Sequence, residues 1–379
     1  MATKIKVLAI DDSALIRQLL TKIVNSDPAL EMIGTAANPI LAENKVKNLK
    51  PDIITLDIEM PEMDGITYLK KLMLNNPIPV IMFSSLLDKH RELALDALNI
   101  GAFDYVIKPS ANVRDGVEEL ATDLVEKIKN AYANRAKFYR KHGVSVPSEP
   151  AAATTVEKSS ISLEAPKTAG FKVYQKNTAD VILPLTPSRE TPMDKIILIG
   201  SSTGGTEALI ECLKNVTPSA PPIVIAQHMP EHFTTSFAKR LNSILKIEVF
   251  ESEDGMSVGR GQAILARGAK HTMIKVRNGK YYVEVRDGEP VTRHKPSVDV
   301  LFRSGAVYAK NKAIGIILTG MGDDGANGMK EMKDAGAYNI AQNEETCTVF
   351  GMPREAIARG GVDEILPLDK ILAAALKKV

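Results

Sequence analysis

Asp194-Lys-Ile-Ile-Leu-Ile-Gly-Ser-Ser-Thr-Gly-Gly-Thr-Glu207 is the stretch from which the C-terminal half of this chain is read. Ile196 to Ile199 is a short run rich in β-branched residues, which suits a buried strand of a parallel sheet. Gly200, Gly204 and Gly205 permit a sharp turn, and Thr206-Glu-Ala-Leu209 opens a helix. Within the turn, Gly200-Ser-Ser-Thr-Gly204 has the G-x-S-x-G spacing that lifts a serine hydroxyl out between strand and helix. The helix start supplies N–H groups where an oxyanion would form. Glycine-rich turns of this kind also bind phosphate or simply turn, so Ser202 needs partners before it means catalysis.

Outward from that stretch, short apolar runs alternate with amphipathic ones from Asp194 to the end of the chain. Strands are expected at 195–200, 223–227, 246–250, 263–266, 272–277, 281–285, 313–318 and 338–341. Helices are expected at 206–214, 235–243, 298–310, 327–335, 354–359 and 368–378. Asn278-Gly279 marks a hairpin, so some antiparallel pairing joins a mostly parallel sheet. His228 follows the apolar strand 223–227 directly and so lies on the same sheet edge as Ser202, whereas His271 and His294 fall near hairpin and loop regions. His90 and His142 lie outside this half. His232, four residues beyond His228, invites a zinc reading, but Pro230 interrupts a regular helical turn and no third ligand is evident. Leu318-Thr-Gly-Met-Gly-Asp-Asp-Gly325 is a third strand end, with two carboxylates, Asp323 and Asp324. Serine, histidine and an aspartate from three strand ends make a nucleophile, a general base and a group that fixes the imidazole tautomer. The chain order Ser…His…Asp differs from the Ser…Asp…His of α/β-hydrolases. One of the two aspartates could equally cap the following helix.

Residues 1 to about 128 show the same alternation. Strands are expected at 6–10, 31–35, 52–56, 80–83 and 105–107, with helices at 14–24, 65–74 and 113–129. Asp11, Asp12, Asp57, Ser84 and Lys108 fall at the carboxyl ends of those strands, where such sheets bind ligands. Three converging carboxylates repel one another, so a hard divalent cation such as Mg²⁺ is the natural occupant. A cation, a lysine and a hydroxyl around one aspartate would stabilise an incoming phosphoryl group, with Asp57 as nucleophile.

At 379 residues, with 44% hydrophobic and 25% charged residues, the chain reads as a soluble globular protein of two domains. A net charge of +2 does not suggest nucleic acid or an anionic membrane as the main partner. Cys212 and Cys347 are too few and too far apart for a disulfide framework or a metal motif. No run approaches the roughly 18 apolar residues of a membrane span, so a cytoplasmic protein without membrane insertion is expected. Residues 131–141 read as a continuation of the last helix of the first domain. From about Val144 to Met193 the chain is proline-rich without apolar periodicity, a linker. Within it, 171–174 and 181–185 are apolar enough to dock on a domain.

Ile10-Asp-Asp-Ser-Ala-Leu-Ile-Arg17, Leu56-Asp-Ile-Glu-Met-Pro-Glu-Met-Asp-Gly65 and Tyr105-Val-Ile-Lys-Pro109 resemble the response-regulator receiver family of two-component signalling. The resemblance implies a flavodoxin-like, doubly wound five-stranded parallel sheet over 1–128. It implies that Asp57 takes a phosphoryl group from a histidine kinase. Asp11 and Asp12 then hold Mg²⁺ with the Glu59 carbonyl, Ser84 and Lys108 contact the phosphoryl group, and Tyr105 is an aromatic switch. Gly200-Ser-Ser-Thr-Gly-Gly-Thr-Glu-Ala208, Gln227-His-Met-Pro230, His294-Lys-Pro-Ser-Val-Asp-Val-Leu-Phe302, Leu318-Thr-Gly-Met-Gly-Asp-Asp-Gly-Ala326 and Val349-Phe-Gly-Met-Pro-Arg354 resemble the chemotaxis methylesterase and glutamine deamidase family (CheB). That resemblance implies a doubly wound, mostly parallel α/β catalytic domain with an antiparallel hairpin over 194–379, joined by a linker over 129–193. It implies a triad of Ser202, His228 and Asp324, with Thr203 and Met321 as neighbours and no cofactor in that domain. Position 323 is often asparagine in the family, so Asp323 adds a charge that could raise the pKa of a neighbouring acid. The implied substrates are glutamyl methyl esters and some glutamines of methyl-accepting chemoreceptors, with release of methanol or ammonia. Competing readings predict other features. A DNA-binding output calls for a basic helix-turn-helix, an oxidoreductase for G-x-G-x-x-G after a strand, and a receptor-binding adaptor with little catalysis for a lost triad position.

Overall fold

Most apolar runs of this chain are buried along their whole length, and these fold as parallel strands with crossover helices packed over them. The computed structural model describes residues 3–84, 88–108, 114–144 and 176–379. They form two compact units.

The N-terminal region, up to Lys141, comprises β1 (Ile5–Ile10), α1 (Ala14–Ser26), β2 (Leu30–Ala36), α2 (Pro39–Leu49), β3 (Ile53–Asp57), α3 (Gly65–Asn75), β4 (Val80–Ser84), α4 (Asp88–Ile100), β5 (Asp104–Ile107), α5 (Arg114–Ala133) and α6 (Arg135–Lys141). Its strands run parallel in the order β2-β1-β3-β4-β5. Two helices, α2 and α4, fall where the sequence pattern named none. Asn38 caps α2, accepting from the Leu41 N–H at 2.9 Å. Ile40 and Leu41 of that first turn are 53% and 54% exposed, and this blurs the apolar periodicity.

The second unit comprises β6 (Ile196–Ser201), α7 (Gly205–Leu213), β7 (Ile223–Gln227), α8 (Phe233–Ile244), β8 (Glu248–Glu251), β9 (Ser257–Val258), β10 (Gln262–Leu265), β11 (His271–Arg277) and β12 (Lys280–Arg286). It continues with α9 (Val298–Ser304), β13 (Ala313–Ile317), α10 (Ala326–Asp334), β14 (Tyr338–Gln342), α11 (Met352–Ala358), β15 (Glu364–Leu366) and α12 (Leu368–Leu376). Seven strands lie parallel in the order β15-β14-β13-β6-β7-β10-β8. The Asn278-Gly279 hairpin forms as expected, with both turn residues at positive φ. It pairs with β9 as a three-stranded antiparallel sheet of its own, so the large sheet stays wholly parallel. The chain passes from β6 to β7 on one side and later returns with β13 on the other. The strand order reverses there, and such reversals open a crevice at the carboxyl ends of the strands.

The segment expected to link the units over 129–193 belongs to the folded units at both of its described ends. Phe138 and Tyr139 of α6 are buried. Ala179, Ile182 and Leu183 are buried against Met273, Val291, Val300 and Val307. Arg303 fixes this second stretch, donating to the Leu183 carbonyl at 3.2 Å and to Asp180 at 2.7 Å while its other nitrogens pair with Glu331. The docking expected of 181–185 is seen at Ile182 and Leu183, although the prolines erase periodicity across the segment. Residues 145–175, with the expected docking stretch 171–174, lie outside the described residues.

Candidate active site

Ser201 pairs with Gln227 in the β6–β7 ladder, so Ser202 and His228 are the next residues beyond two neighbouring parallel strands. On the other side the Ser202 N–H donates to the Thr319 carbonyl at 3.0 Å, which ties the turn to the end of β13. The two serines differ sharply. Ser201 is wholly buried and its hydroxyl donates to Gln227 Oε1 at 2.6 Å, whereas Ser202 is only half-buried. Gln227 Nε2 donates in turn to the carbonyls of Ser202 at 3.0 Å and His228 at 3.2 Å. Gln227 thus fixes both strand ends at once. A Cβ at position 205 would lie 2.1 Å from Gln227 Oε1, so only glycine lets the turn close over that amide.

Asp324 faces His228. Its Oδ2 lies 2.7 Å from His228 Nε2 and accepts the Val298 N–H at 2.7 Å. Its Oδ1 accepts from the Ser297 hydroxyl at 2.8 Å and the Asp299 N–H at 3.0 Å. Burial alone would raise its pKa; the hydrogen bond and charge of His228, then His294 and the Asp299 amide, hold it below the ordinary carboxylate range. Asp299, also buried, accepts from the Gly328 N–H at 2.7 Å and the Thr292 hydroxyl at 3.1 Å. Burial, and then the charge of Asp324, push Asp299 up to about 7. One carboxyl of this buried pair therefore keeps the charge and the other favours the proton.

Asp323 turns the other way. Its carboxylate is held between Lys176 at 2.6 Å and Arg359, which outweigh burial and lower its pKa. It is not among the main influences on Asp324, and the acid whose pKa is raised beside Asp324 is Asp299. Neither aspartate caps α10 through its side chain; Gly325 stands at that position with φ +90°. Thr203 is buried, its carbonyl accepting from the Thr319 hydroxyl at 3.0 Å, and Met321 is half-buried one turn before Asp324. His232 is exposed at the start of α8, and His271 is buried with Nε2 3.0 Å from the Glu289 carbonyl oxygen.

In the first unit, Asp11, Asp12 and Asp57 present carboxylate oxygens within 4.8 Å of one another. Lys108 Nζ lies 2.7 Å from Asp57 Oδ2 and 2.9 Å from Asp11 Oδ2. Burial pushes Asp57 up to about 6 and raises Asp11, against the pull of Lys108. Ser84 is buried at the neighbouring strand end, its carbonyl accepting the Lys108 N–H at 2.7 Å, and Tyr105 is buried in β5. Asp12 and Glu59 line one open cleft with Asp64. Three close oxygen donors, two of them on buried carboxylates whose charged form burial disfavours, fit a hard divalent cation.

The chain matches two family profiles, one described as CheB methylesterase over residues 197–375 and one as response regulator receiver domain over 7–118. A Geobacter metallireducens protein named protein-glutamate methylesterase/protein-glutamine glutaminase 1 is 47% identical over 97% of this chain and 94% of its own length. A Rhizobium johnstonii protein with the same name, numbered 2, is 48% identical over 99% of this chain and 98% of its own. The chain belongs to that family. The crystal structure of the Thermotoga maritima CheB methylesterase catalytic domain is 40% identical, covering 49% of this chain and 99% of that one, with a TM-score of 0.48.

In this methylesterase–glutaminase chain, three residues around His228 and Asp324 lie in the quoted stretch 294–302, where the sequence assigned them no role. His294 stacks on His228, ring centroids 3.7 Å apart and planes 16° from parallel. Asp299 and Ser297 bracket Asp324. Pro296-Ser297 before an apolar run does signal a helix start, and Ser297 caps α9. Nothing local in the sequence says that this helix start faces the β13 end.

Proposed function

We propose that Ser202 is the nucleophile, His228 the general base and Asp324 the acid that orients it, in a receiver-regulated protein-glutamate methylesterase/protein-glutamine glutaminase of chemotaxis. The observation that carries the reading is the His228 Nε2–Asp324 Oδ2 contact of 2.7 Å beside the half-buried Ser202. Ser202 Oγ attacks the side-chain carbonyl of a glutamyl methyl ester or a glutamine while His228 takes its proton. Methanol or ammonia leaves with that proton, giving an acyl-enzyme. Water, deprotonated by His228, then attacks the acyl carbon and releases glutamate and Ser202. Both hydrolyses are acyl transfers to water, so one site serves both. The amides at the start of α7, three residues beyond Ser202, are the nearest donors along the chain for the oxyanion, with Thr203 and Met321 beside the reacting carbon. An adaptor without catalysis is disfavoured, because four donors are spent on ionising Asp324.

In the receiver, Asp57 is proposed to accept a phosphoryl group from the system's histidine kinase. Asp11, Asp12 and the Glu59 carbonyl would hold Mg²⁺, which shields the charge of the transferring group. Lys108 and Ser84 contact its oxygens, and Tyr105 follows the change. The proposed substrates are the cytoplasmic glutamyl sites of chemoreceptors, and the proposed location is the cytoplasm. Among the described residues no helix is long and apolar enough to cross a membrane.

The test is methanol release from methylated chemoreceptor membranes. Ser202→Ala should lower the rate by roughly 10⁴-fold or more, the scale of losing a triad member. Ser201→Ala should keep activity within about tenfold but cost about 1–3 kcal/mol of stability, because it orphans the buried Gln227 oxygen. An inactive Ser201→Ala beside an active Ser202→Ala would move the nucleophile by one residue.

A further inference from the structure

The ring stacked on His228 is carried by a turn that runs against its own backbone preferences. Val291 and His294 exchange both backbone hydrogen bonds, the Val291 N–H to the His294 carbonyl at 3.1 Å and the reverse at 2.8 Å. Thr292 and Arg293, between them, have φ of +51° and +70°. This two-residue turn wants Asn-Gly, and it holds a β-branched residue followed by a long one. Such a conformation persists only where the surroundings over-determine it.

The surroundings that do so come from a segment more than a hundred residues earlier in the chain. Asn177 pairs alongside Val291 in a parallel bridge. Its carbonyl accepts the Thr292 N–H at 2.9 Å, and its side-chain Nδ2 donates to the Pro290 carbonyl at 3.1 Å. On one side of Asn177, Lys176 pairs with Asp323, the residue before Asp324. On the other, Asp180 pairs with Arg303, and Ile182 and Leu183 are buried with Val291. The turn so held delivers two groups to the site: the His294 ring on His228, and the Thr292 hydroxyl on Asp299.

Resting on the roles proposed above for Ser202, His228 and Asp324, we propose that Asn177 is a positioning residue of the hydrolase, acting through the turn Val291–His294 to hold the His294 ring flat against His228. The stretch beginning at Lys176 is then a working part of the active site. His294 needs no proton transfer of its own in this role. Its face fixes the plane of the base, and a base misplaced by a fraction of an ångström loses rate rather than substrate affinity.

The test uses the full chain and methanol release from methylated chemoreceptor membranes, with kcat and KM separated. His294→Ala should lower kcat roughly 10- to 100-fold with KM within about twofold, and His294→Phe, which keeps a flat ring, should recover most of the loss. Asn177→Ala should lower kcat by roughly three- to tenfold in the wild-type background and have no further effect in the His294→Ala background, since both act through one ring. Independent, multiplying losses would overturn the proposal, as would an unchanged kcat in His294→Ala or a His294→Phe no better than His294→Ala. Ser202→Ala, run in parallel, separates the two levels. If it stays active, the site assignment fails; if it is inactive while His294→Ala is fully active, only the positioning role fails.

Discussion

His228 turns Nε2, not Nδ1, toward Asp324: Nε2 stands 2.7 Å from Oδ2, and Nδ1 is buried without a hydrogen-bond partner. An ionised carboxylate only accepts, so Nε2 carries a proton toward it, and whenever the ring is neutral the lone pair is on Nδ1. In the proposed mechanism, the nitrogen left to take the proton of Ser202 is therefore Nδ1. The strand ends set this up, because His228 leaves β7 beside Ser202 while Asp324 reaches the ring from the far side of β6.

That geometry separates the two adjacent aspartates. Asp324→Asn replaces a carboxylate serving four donors with an amide that offers one oxygen, so the imidazole loses its partner and the Val298 and Asp299 amides compete for what remains. Methanol release should fall by about 10³- to 10⁴-fold. Asp323→Asn disturbs only the Lys176 and Arg359 pairs and should stay within about fivefold. Equal losses in the two variants would mean that Asp324 does not orient the base.

The Asp299–Asp324 pair predicts a pH dependence of stability. Asp299 is raised to about 7, so between about pH 4 and pH 7 the folded chain keeps a proton there that the unfolded chain has released. The unfolded state binds fewer protons in that window, and stability falls as pH rises through it. Asp324, with its lowered pKa, acts oppositely and only at acid pH: its contribution is present above the unfolded carboxyl pKa and is lost as pH falls below it. Asp299→Asn mimics the neutral acid. It should flatten the decline between pH 5 and pH 8 by on the order of 1–3 kcal/mol, read as denaturant midpoints at the two ends. Parallel curves for variant and parent would show that Asp299 is ionised throughout.

Much of this was legible in the sequence because the chemistry sits where strands end. The runs at 223–227 and 313–318 place His228 and the two aspartates on one sheet edge, and Asp11, Asp57 and Lys108 on the other sheet converge for the same reason. What stayed hidden depends on contacts distant in sequence. Asp299 is set against Asp324 by the way α9 begins over the β13 turn, and His294 stacks on His228 from a turn that Asn177 bridges from more than a hundred residues away. Helix α2 was missed for the opposite reason: its first turn exposes two apolar residues, so the periodic signal misleads.

In the receiver, Lys108 pairs with Asp57, the proposed phosphorylation site, and with Asp11. Asp57→Asn should abolish Mg²⁺-dependent labelling by a small phosphodonor and leave basal methanol release measurable. Chelating Mg²⁺ should stop labelling of the parent chain to the same extent. Label that persists in Asp57→Asn would place the acceptor elsewhere.

The ends of the hydrolase can be tested by truncation. A fragment from Asp194 begins at β6 but discards Ile182 and Leu183, both buried, together with the Asp180–Arg303 and Lys176–Asp323 pairs. Burial of each of those two side chains is worth roughly 1.5–3 kcal/mol, so this fragment should unfold well below one beginning just before Lys176. The longer fragment bears on regulation. If the unphosphorylated receiver restrains the hydrolase, a bias of about 1–3 kcal/mol on a closed–open equilibrium corresponds to about 5- to 150-fold in activity. The fragment that keeps Lys176 should then release methanol faster than the unphosphorylated full chain at matched concentration. The Asp194 fragment should be slower than the longer one at any temperature where both are folded, because it lacks the support of the His294 turn. A Lys176 fragment slower than the unphosphorylated parent would mean that the receiver assembles the active site, and restraint would have to be abandoned as the mode of control.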